Sequence, residues 1–347
     1  MKTTLQLSCL TVLLLCSYVN GNNTIAEPTL RNDKESCPLF GAAKGLDRTL
    51  AIRSSNIDRS YVLHLPDNYD CNSLYPVLIG LHGYTGSGSD FQHQTADMFA
   101  GLNLKGYIGV FPNATESSPG SGLTSFNDLG SRFDEGPKGP TCTTPSHAYD
   151  DFDNCPNTEQ ERLCHWGTSC ADDLSFLRNL IDTLQMRYSI DAKRLFLTGF
   201  SQGAQTAAGL ACGLQDKIAA VIPVHGFPAK GFSCGPAEKV SLFQIVGQLD
   251  QTVNGVGKES ADGMIYDSAT TTASVWAEEQ YCAKNGSTPY PTIADGYLGW
   301  QCVEHANCAS SASIVTCSWL GDHIWPRNDS RNPGLQAIWE FLSKQSK

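Results

Sequence analysis

One short segment, Gly199-Phe200-Ser201-Gln202-Gly203, limits the folds open to this chain more than any other. It joins an apolar run, residues 194–198, to a run of small residues typical of a packed helix, residues 202–212. A strand that turns sharply into a helix needs small residues two before and two after the serine, because a Cβ there collides with neighbouring backbone. The segment therefore predicts a nucleophile elbow, with the Ser201 hydroxyl exposed where a helix N-terminus favours negative charge.

The chain contains a second copy of the same short pattern, which shows how little the pattern means alone. Gly231-Phe-Ser233-Cys-Gly235 also fits Gly-x-Ser-x-Gly, yet no apolar strand precedes it and Pro236 follows it. Only Ser201 has a predicted strand before it and a predicted helix after it, so Ser201 is the candidate nucleophile. The alternative is a strand, turn and helix packed tightly for structural reasons alone.

A serine hydroxyl needs a base to take its proton and an acid to orient that base. On this type of elbow the partners follow in the order serine, acid, histidine. Asp250 directly follows a buried apolar strand, and His323 lies between the last predicted strand and the last predicted helix. His225 precedes the acid and ends a strand, so it is expected to line or support the site. His305 lies in a segment with no predicted strand, and is the second choice as base.

An ester carbonyl under attack also needs hydrogen-bond donors for its developing oxyanion. The backbone N–H of Gln202, next to the nucleophile, is the first expected donor. The second is expected from the glycine-rich loop at residues 82–88, where Tyr84 N–H is the first choice.

The two partners of Ser201 also have structural alternatives. Asp250 could merely stabilise a turn, and His323 could be a capping or packed residue.

Short apolar runs alternate with helical patterns along the rest of the chain. Strands are predicted at residues 61–65, 75–81, 107–111, 194–198, 218–224, 241–246 and 313–317, and helices at residues 172–184, 202–212, 273–283 and 334–344. This alternation predicts an α/β fold with a mostly parallel central sheet flanked by helices. Residues 113–170 interrupt it, being rich in Gly, Pro, Ser, Asp and Cys, and are expected to form a disulfide-rich insertion over the strand ends.

The N-terminus predicts export. Residues 1–21 combine Lys2, an apolar stretch and small residues at a cleavage site, which is typical of a signal peptide, leaving residues 22–347 as one predicted domain. Two of the 14 cysteines lie in this leader, and the even number that remains is expected to form disulfides. Sequons occur at Asn22, Asn113, Asn285 and Asn328 and allow N-glycosylation.

The charge of the chain excludes several classes of partner. It has 24 Lys and Arg against 35 Asp and Glu, a formal charge of −11, so nucleic acid and anionic membrane surfaces are not expected partners. The nearest group of metal-type ligands, Cys164, His165 and Cys170, lacks a zinc-type spacing, so a bound metal is not expected. The chain is expected to act as a monomer.

Ordered motifs from about Ser60 to the C-terminus resemble the secreted serine esterases of the feruloyl esterase and polyhydroxybutyrate depolymerase group. They are Leu81-His-Gly, Asp172-Asp-Leu-Ser-Phe-Leu177, Tyr188-Ser-Ile-Asp191, Leu210-Ala-Cys212, Gly247-Gln-Leu-Asp250, Trp276 with Cys282, and Gly321-Asp-His-Ile-Trp-Pro326. The resemblance implies an α/β-hydrolase fold, ester hydrolysis through an acyl-enzyme, and no cofactor. Departures occur at residues 202–204, at Asp322 and in the enlarged insertion, and they bear on substrate choice.

The resemblance also implies disulfides between Cys212 and Cys234 and between Cys282 and Cys308. Cys302 with Cys317 is then a plausible third pair, which leaves Cys37, Cys71, Cys142, Cys155, Cys164 and Cys170.

A feruloyl ester on plant polysaccharide is the expected substrate. Phe200, Trp166 and Trp325 are candidate walls for an aromatic acyl group, although each could equally belong to the core. A polyhydroxyalkanoate polyester is the alternative substrate. From another class, the chain could be an inactive carbohydrate-binding or adhesion protein on the same scaffold.

Overall fold

The computed structural model describes residues 37–95, 98–143, 146, 149, 151–155, 163–164, 167–284, 286–327 and 332–347. The predicted leader at residues 1–21 lies outside them, and so does Trp166. Within the described part of the chain, no helix has both the length and the apolar character needed to cross a membrane.

A ten-stranded sheet forms the centre of the molecule, in the order β1-β2-β4-β3-β9-β10-β11-β14-β13-β12. Its strands are β1 (Asp47–Ser54), β2 (Ile57–His64), β3 (Tyr75–Leu81), β4 (Ile108–Pro112), β9 (Ile190–Phe200), β10 (Ala220–Val224), β11 (Ser241–Gly247), β12 (Ser287–Pro289), β13 (Gln301–His305) and β14 (Ile314–Trp319). The six strands from β4 to β14 in this order pair in parallel. Each edge continues into antiparallel strands. The predicted mostly parallel sheet is thus confirmed, while the antiparallel edges were not predicted.

Helices cover both faces of this sheet. They are α1 (Gly88–Gln94), α2 (Met98–Lys105), α3 (Asp173–Arg187), α4 (Gln202–Leu210), α5 (Ala269–Glu279) and α6 (Pro333–Leu342). Successive side chains of a strand point to opposite faces, and β3 shows the result: Val77 and Ile79 pack in one buried cluster with α3, α4 and α5, whereas Leu78 packs in another with α6. The two apolar layers explain why the parallel strands have almost continuous apolar sequences.

Two predicted elements differ from the structure. Helix α5 begins at Ala269, four residues before the predicted start, because the Ser268 hydroxyl accepts the N–H of Thr271 and caps the helix there. His305 was expected in a segment without a strand, but it ends β13, which pairs with β14. The mixed polar sequence of β13 suits a strand that is only partly buried, between β14 and the edge strand β12.

The insertion at residues 113–170 follows β4 and contains two short hairpins, β5 (Thr115–Glu116) with β6 (Thr124–Ser125) and β7 (Glu135–Gly136) with β8 (Gly139–Pro140). Asn113, the one sequon asparagine among the described residues, donates its side-chain amide to Ser60 Oγ and accepts the N–H of Gly88, each at 2.8 Å. It therefore joins the start of the insertion to β2 and α1.

Disulfides hold the insertion and the loops around it. The three pairings expected from the sequence are confirmed: Cys212–Cys234, Cys282–Cys308 and Cys302–Cys317. The remaining six cysteines form Cys37–Cys71, Cys142–Cys164 and Cys155–Cys170. Two of these six disulfides lie wholly within the insertion, which is consistent with its lack of a large apolar core.

Candidate active site

The turn between β9 and α4 has the geometry of a nucleophile elbow. Ser201 adopts φ 55° and ψ −125°, a strained conformation for a residue with a side chain. The flanking glycines are required: a Cβ on Gly199 would lie 2.3 Å from the carbonyl oxygen of Gly203, and one on Gly203 would lie 2.3 Å from that of Leu81. The Ser201 N–H donates to the carbonyl of Val224 at 3.0 Å, which ties the turn to β10.

Three residues far apart in the sequence form a hydrogen-bonded chain at this turn. Ser201 Oγ lies 2.8 Å from His323 Nε2, and His323 Nδ1 lies 2.8 Å from Asp250 Oδ2. An ionised carboxylate only accepts, so Nδ1 carries the proton and donates to Asp250, and the Nε2 of the neutral ring accepts from the Ser201 hydroxyl. The arrangement can therefore remove the serine proton.

Asp250 is fully satisfied as an acceptor, and its side chain has no exposed surface. Oδ1 accepts the N–H groups of Thr252 and Val253 at 2.9 Å, and Oδ2 accepts from both His225 and His323. Burial alone raises the pKa of Asp250, but the hydrogen bonds from the two histidines and the Val253 N–H outweigh it and hold that pKa well below its usual range. The carboxylate is thus held ionised beneath His323.

His225 does not occupy the position expected of a substrate-binding residue. It is fully buried, its Nδ1 lies 2.9 Å from Asp250 Oδ2, and its Nε2 accepts the indole N–H of Trp319 at 3.1 Å. Both ring nitrogens are therefore engaged inside the protein. Of the two roles expected for His225, lining the site or supporting it, its complete burial favours the supporting role.

The loop after β3 lies against the elbow. A Cβ on Gly83 would lie 3.3 Å from Ser201 Cβ, so the backbone of this loop passes directly beside the nucleophile. The His82 Nδ1–H donates to the Gly83 carbonyl at 2.7 Å, while Nε2 accepts the N–H of Ala114 at 3.0 Å. Thr85 N–H donates to Thr124 O at 2.8 Å. The loop that carries Tyr84 is thus fixed on one side by His82 and on the other by the insertion.

Gln202 begins helix α4, so its own N–H has no acceptor within the helix and lies at the positive end of the helix dipole. Its side chain is fully buried and bonds to the insertion: Nε2 donates to Phe126 O at 2.5 Å, and Oε1 accepts Phe126 N–H at 3.3 Å. Sequence reasoning selected Gln202 for its backbone alone. The structure adds that its side chain anchors the insertion to the elbow.

The aromatic candidates divide into two groups. The Phe200 ring is partly exposed and its centroid lies 5.2 Å from that of His323. Trp325 is only 5% exposed, and its indole N–H donates to Asn332 Oδ1 at 2.9 Å. Of the two alternatives left open for Trp325, its burial favours the core, where its ring centroid lies 6.3 Å from that of Phe200.

His225, Asp250 and His323 also form the one group of ligand-type side chains within reach of a single ion among the described residues. Their atoms are hydrogen bonded to one another as the preceding distances show. We assign no metal to them, and the absence of a cofactor stays a prediction.

Comparisons with known proteins agree with the fold and with the class of site. Residues 165–276 match the phospholipase/carboxylesterase family. This stretch is shorter than half of the chain, and it contains Ser201 and Asp250. Feruloyl esterase D of Neurospora crassa is 24% identical over 320 residues, which are 89% of this chain and 91% of that protein. A probable feruloyl esterase C of Aspergillus niger is 22% identical over 302 residues, 86% of this chain and 89% of that protein.

Among solved structures, an acetyl xylan esterase from Aspergillus awamori aligns with a TM-score of 0.55 at 12% identity, covering 85% of this chain and 99% of that chain. This likeness shows the fold alone. The resemblance drawn from the sequence is confirmed by these relatives. The class of protein is a carboxylic ester hydrolase on an α/β-hydrolase fold.

Proposed function

We propose that this chain is a secreted serine esterase of the feruloyl esterase type, which releases hydroxycinnamic acids from plant polysaccharide. The observation that carries the proposal is the hydrogen-bonded chain from Ser201 through His323 to Asp250 at the elbow. The substrate class is supported by the names of two curated relatives. Both are named as feruloyl esterases, and both align with most of this chain. Export is supported by the six disulfides, which persist in oxidising compartments, and by the predicted leader.

In the proposed reaction, Ser201 Oγ attacks the ester carbonyl carbon as its proton passes to His323 Nε2. Asp250 stabilises the imidazolium that forms. The N–H groups of Gln202 and Tyr84 are proposed to bind the oxyanion of the tetrahedral intermediate. Its collapse breaks the bond to the alcohol oxygen, which takes the proton from His323 and leaves an acyl-Ser201. Water then attacks the acyl carbon as its proton passes to His323. The bond between the acyl carbon and Ser201 Oγ breaks, Oγ takes the proton back from His323, and the acid is released.

Turnover of p-nitrophenyl acetate and methyl ferulate tests the chemistry. We expect Ser201→Ala and His323→Ala each to lower kcat by about 10⁴-fold or more, because the residues act as a unit. Ser233→Ala is the matched control, since Ser233 has the same sequence pattern but its hydroxyl bonds to Thr272 Oγ1 at 3.1 Å. Equal activity of Ser201→Ala and wild type contradicts the proposal.

A substrate panel distinguishes the proposed specificity from its alternatives. We expect kcat/KM to be highest on feruloylated arabinoxylan, above acetylated xylan and above a short polyhydroxybutyrate. A preference for the polyester would favour depolymerase activity. Sugar binding without turnover of any ester would favour the inactive binding protein.

We further propose that the insertion selects the substrate. It leaves from the carboxyl end of β4 and bonds to Gln202, which places it beside the site. The double variant Cys142→Ala/Cys164→Ala removes one of its disulfides. We expect turnover of p-nitrophenyl acetate to stay within about tenfold, while kcat/KM on feruloylated polysaccharide falls about 10²-fold, because remote binding energy is expressed in kcat as well as KM. Equal losses on both substrates contradict a role in selection.

A further inference from the structure

A second histidine shares the acid of the site. Asp250 Oδ2 lies 2.8 Å from His323 Nδ1 and 2.9 Å from His225 Nδ1. Ser201, His225, Asp250 and His323 follow the carboxyl ends of β9, β10, β11 and β14, which are consecutive neighbours in the sheet. Four adjacent parallel strands thus each deliver one member of a continuous hydrogen-bonded group.

The protonation of His225 follows from its other neighbour. The indole N–H of Trp319 can only donate, and it lies 3.1 Å from His225 Nε2. Nε2 must therefore be the unprotonated nitrogen. The proton of the neutral ring lies on Nδ1, from which it donates to Asp250. Trp319 thus selects one tautomer of His225.

The backbone and the space around His225 are shaped for this position. His225 adopts φ 54°, a conformation that costs energy for a residue with a side chain. Its N–H donates to Ile245 O at 3.0 Å. A Cβ on Gly247 would lie 2.5 Å from His225 Cε1, so only glycine at that position leaves room for the ring. The positive φ of His225 and the close approach of Gly247 thus both adapt the backbone to an imidazole held beside Asp250.

We propose that His225 is a positioning residue of the active site: its Nδ1–H holds the Asp250 carboxylate in the orientation that receives His323, and Trp319 fixes the tautomer that makes this possible. The role rests on the proposed esterase function of Ser201, His323 and Asp250. His225 does not contact the reacting atoms, because it is fully buried behind Asp250.

Burial keeps His225 neutral against the two carboxylates among the charged groups that face it. These groups are the Asp250 carboxylate, His323 and, farther away, the Asp322 carboxylate, while the uncharged indole of Trp319 covers the remaining nitrogen. Burial lowers the pKa of His225 despite the hydrogen bond that His225 donates to Asp250. A protonated His225 would place a second cation beside the imidazolium that His323 becomes during the reaction. The Trp319 N–H opposes this by occupying the site of the second proton.

Kinetics separate this role from simple packing. His225→Leu keeps the volume but removes the donor, and we expect kcat on methyl ferulate to fall about 10²-fold or more with little change in KM, because a misplaced acid misorients His323. Asp250, having lost one donor, becomes more basic and stabilises the imidazolium more strongly. The acidic limb of the kcat/KM profile should therefore shift to higher pH.

Two variants serve as controls. His225→Asn retains an N–H near the position of Nδ1, and asparagine tolerates positive φ, so we expect activity within about tenfold of wild type and a restored acidic limb. Trp319→Phe keeps the packing but removes the donor, so activity should fall more steeply on acidification than in wild type. If His225→Leu has wild-type kcat and an unchanged limb, or if Leu and Asn behave alike, the proposal is wrong.

A measurement without turnover keeps this test independent of the esterase proposal. In a Ser201→Ala background, ¹⁵N NMR of the imidazoles should show His225 as the Nδ1–H tautomer. Trp319→Phe should give a mixture of tautomers. A His225 ring protonated on Nε2, or an unchanged single tautomer of His225 in Trp319→Phe, overturns the proposal. Absence of any ester turnover, with these NMR results as expected, contradicts only the proposed function.

Discussion

His82 is predicted to make the stability of this protein depend on pH, although it is not one of the proposed catalytic groups. It is 1% exposed and joins the loop beside Ser201 to Ala114, donating from Nδ1 to Gly83 O and accepting at Nε2. If the ring took up a second proton, its Nε2–H would point at the Ala114 N–H, so that two donors would face each other without an acceptor. Burial lowers the pKa of His82 from 6.5 to about 4.

The shift gives both the size and the sign of the effect. A difference of one pKa unit corresponds to about 1.4 kcal/mol, so His82 changes the free energy of unfolding by about 3 kcal/mol. The unfolded chain binds the proton near pH 6.5, whereas the folded protein does not bind it until about pH 4. The contribution is therefore fully present above pH 6.5 and is lost progressively as the pH falls to about 4.

Urea unfolding at several pH values between 8 and 4, on wild type and His82→Asn, measures the effect. At pH 8 the variant should be less stable by about 1–3 kcal/mol, because the Ala114 N–H loses its acceptor. The stability of wild type relative to the variant should fall by about 3 kcal/mol as the pH falls to 4, so that the variant becomes equally or more stable, since only wild type carries the ring of His82. His225 is buried in both proteins, so its contribution cancels. Parallel stability curves across this range refute the reasoning.

Three further predictions concern stability. Gly203→Ala should destabilise the protein by about 1–3 kcal/mol or more in urea unfolding, because its Cβ would meet the Leu81 carbonyl; an unchanged midpoint would contradict the elbow geometry. Gln205→Met should raise the melting temperature, because both amide atoms of Gln205 are buried without partners, and a lower Tm would point to a bound water or ligand there. Replacing Cys212 and Cys234 together by alanine should cost about 3 kcal/mol, measured against wild type under non-reducing conditions, whereas equal stability would show that the crosslink restrains little.

Local sequence was sufficient to predict the elements that bear the chemistry. Strand β3 was expected at residues 75–81 and lies there, because a short apolar run between turn residues has few other conformations. The elbow at Ser201 was expected from Gly199 and Gly203. The structure shows that a side chain at either position would collide with a backbone carbonyl. Ser201, Asp250 and His323 were expected from the order of partners on this type of elbow, and they lie close together because each follows the carboxyl end of a parallel strand.

The tertiary structure alone decided which side chains meet across that edge. His225 was expected to line or support the site, and only the structure shows that it faces Asp250 and Trp319, residues 25 and 94 positions away. Trp319 carried no signal of such a role in the sequence, because its contact depends on the register of β14 against its neighbours. The same holds for the amide pairing of Gln202 with Phe126. Propensity and periodicity act over a few residues, whereas the partners of a buried polar group are set by strand order and register, which only the folded chain defines.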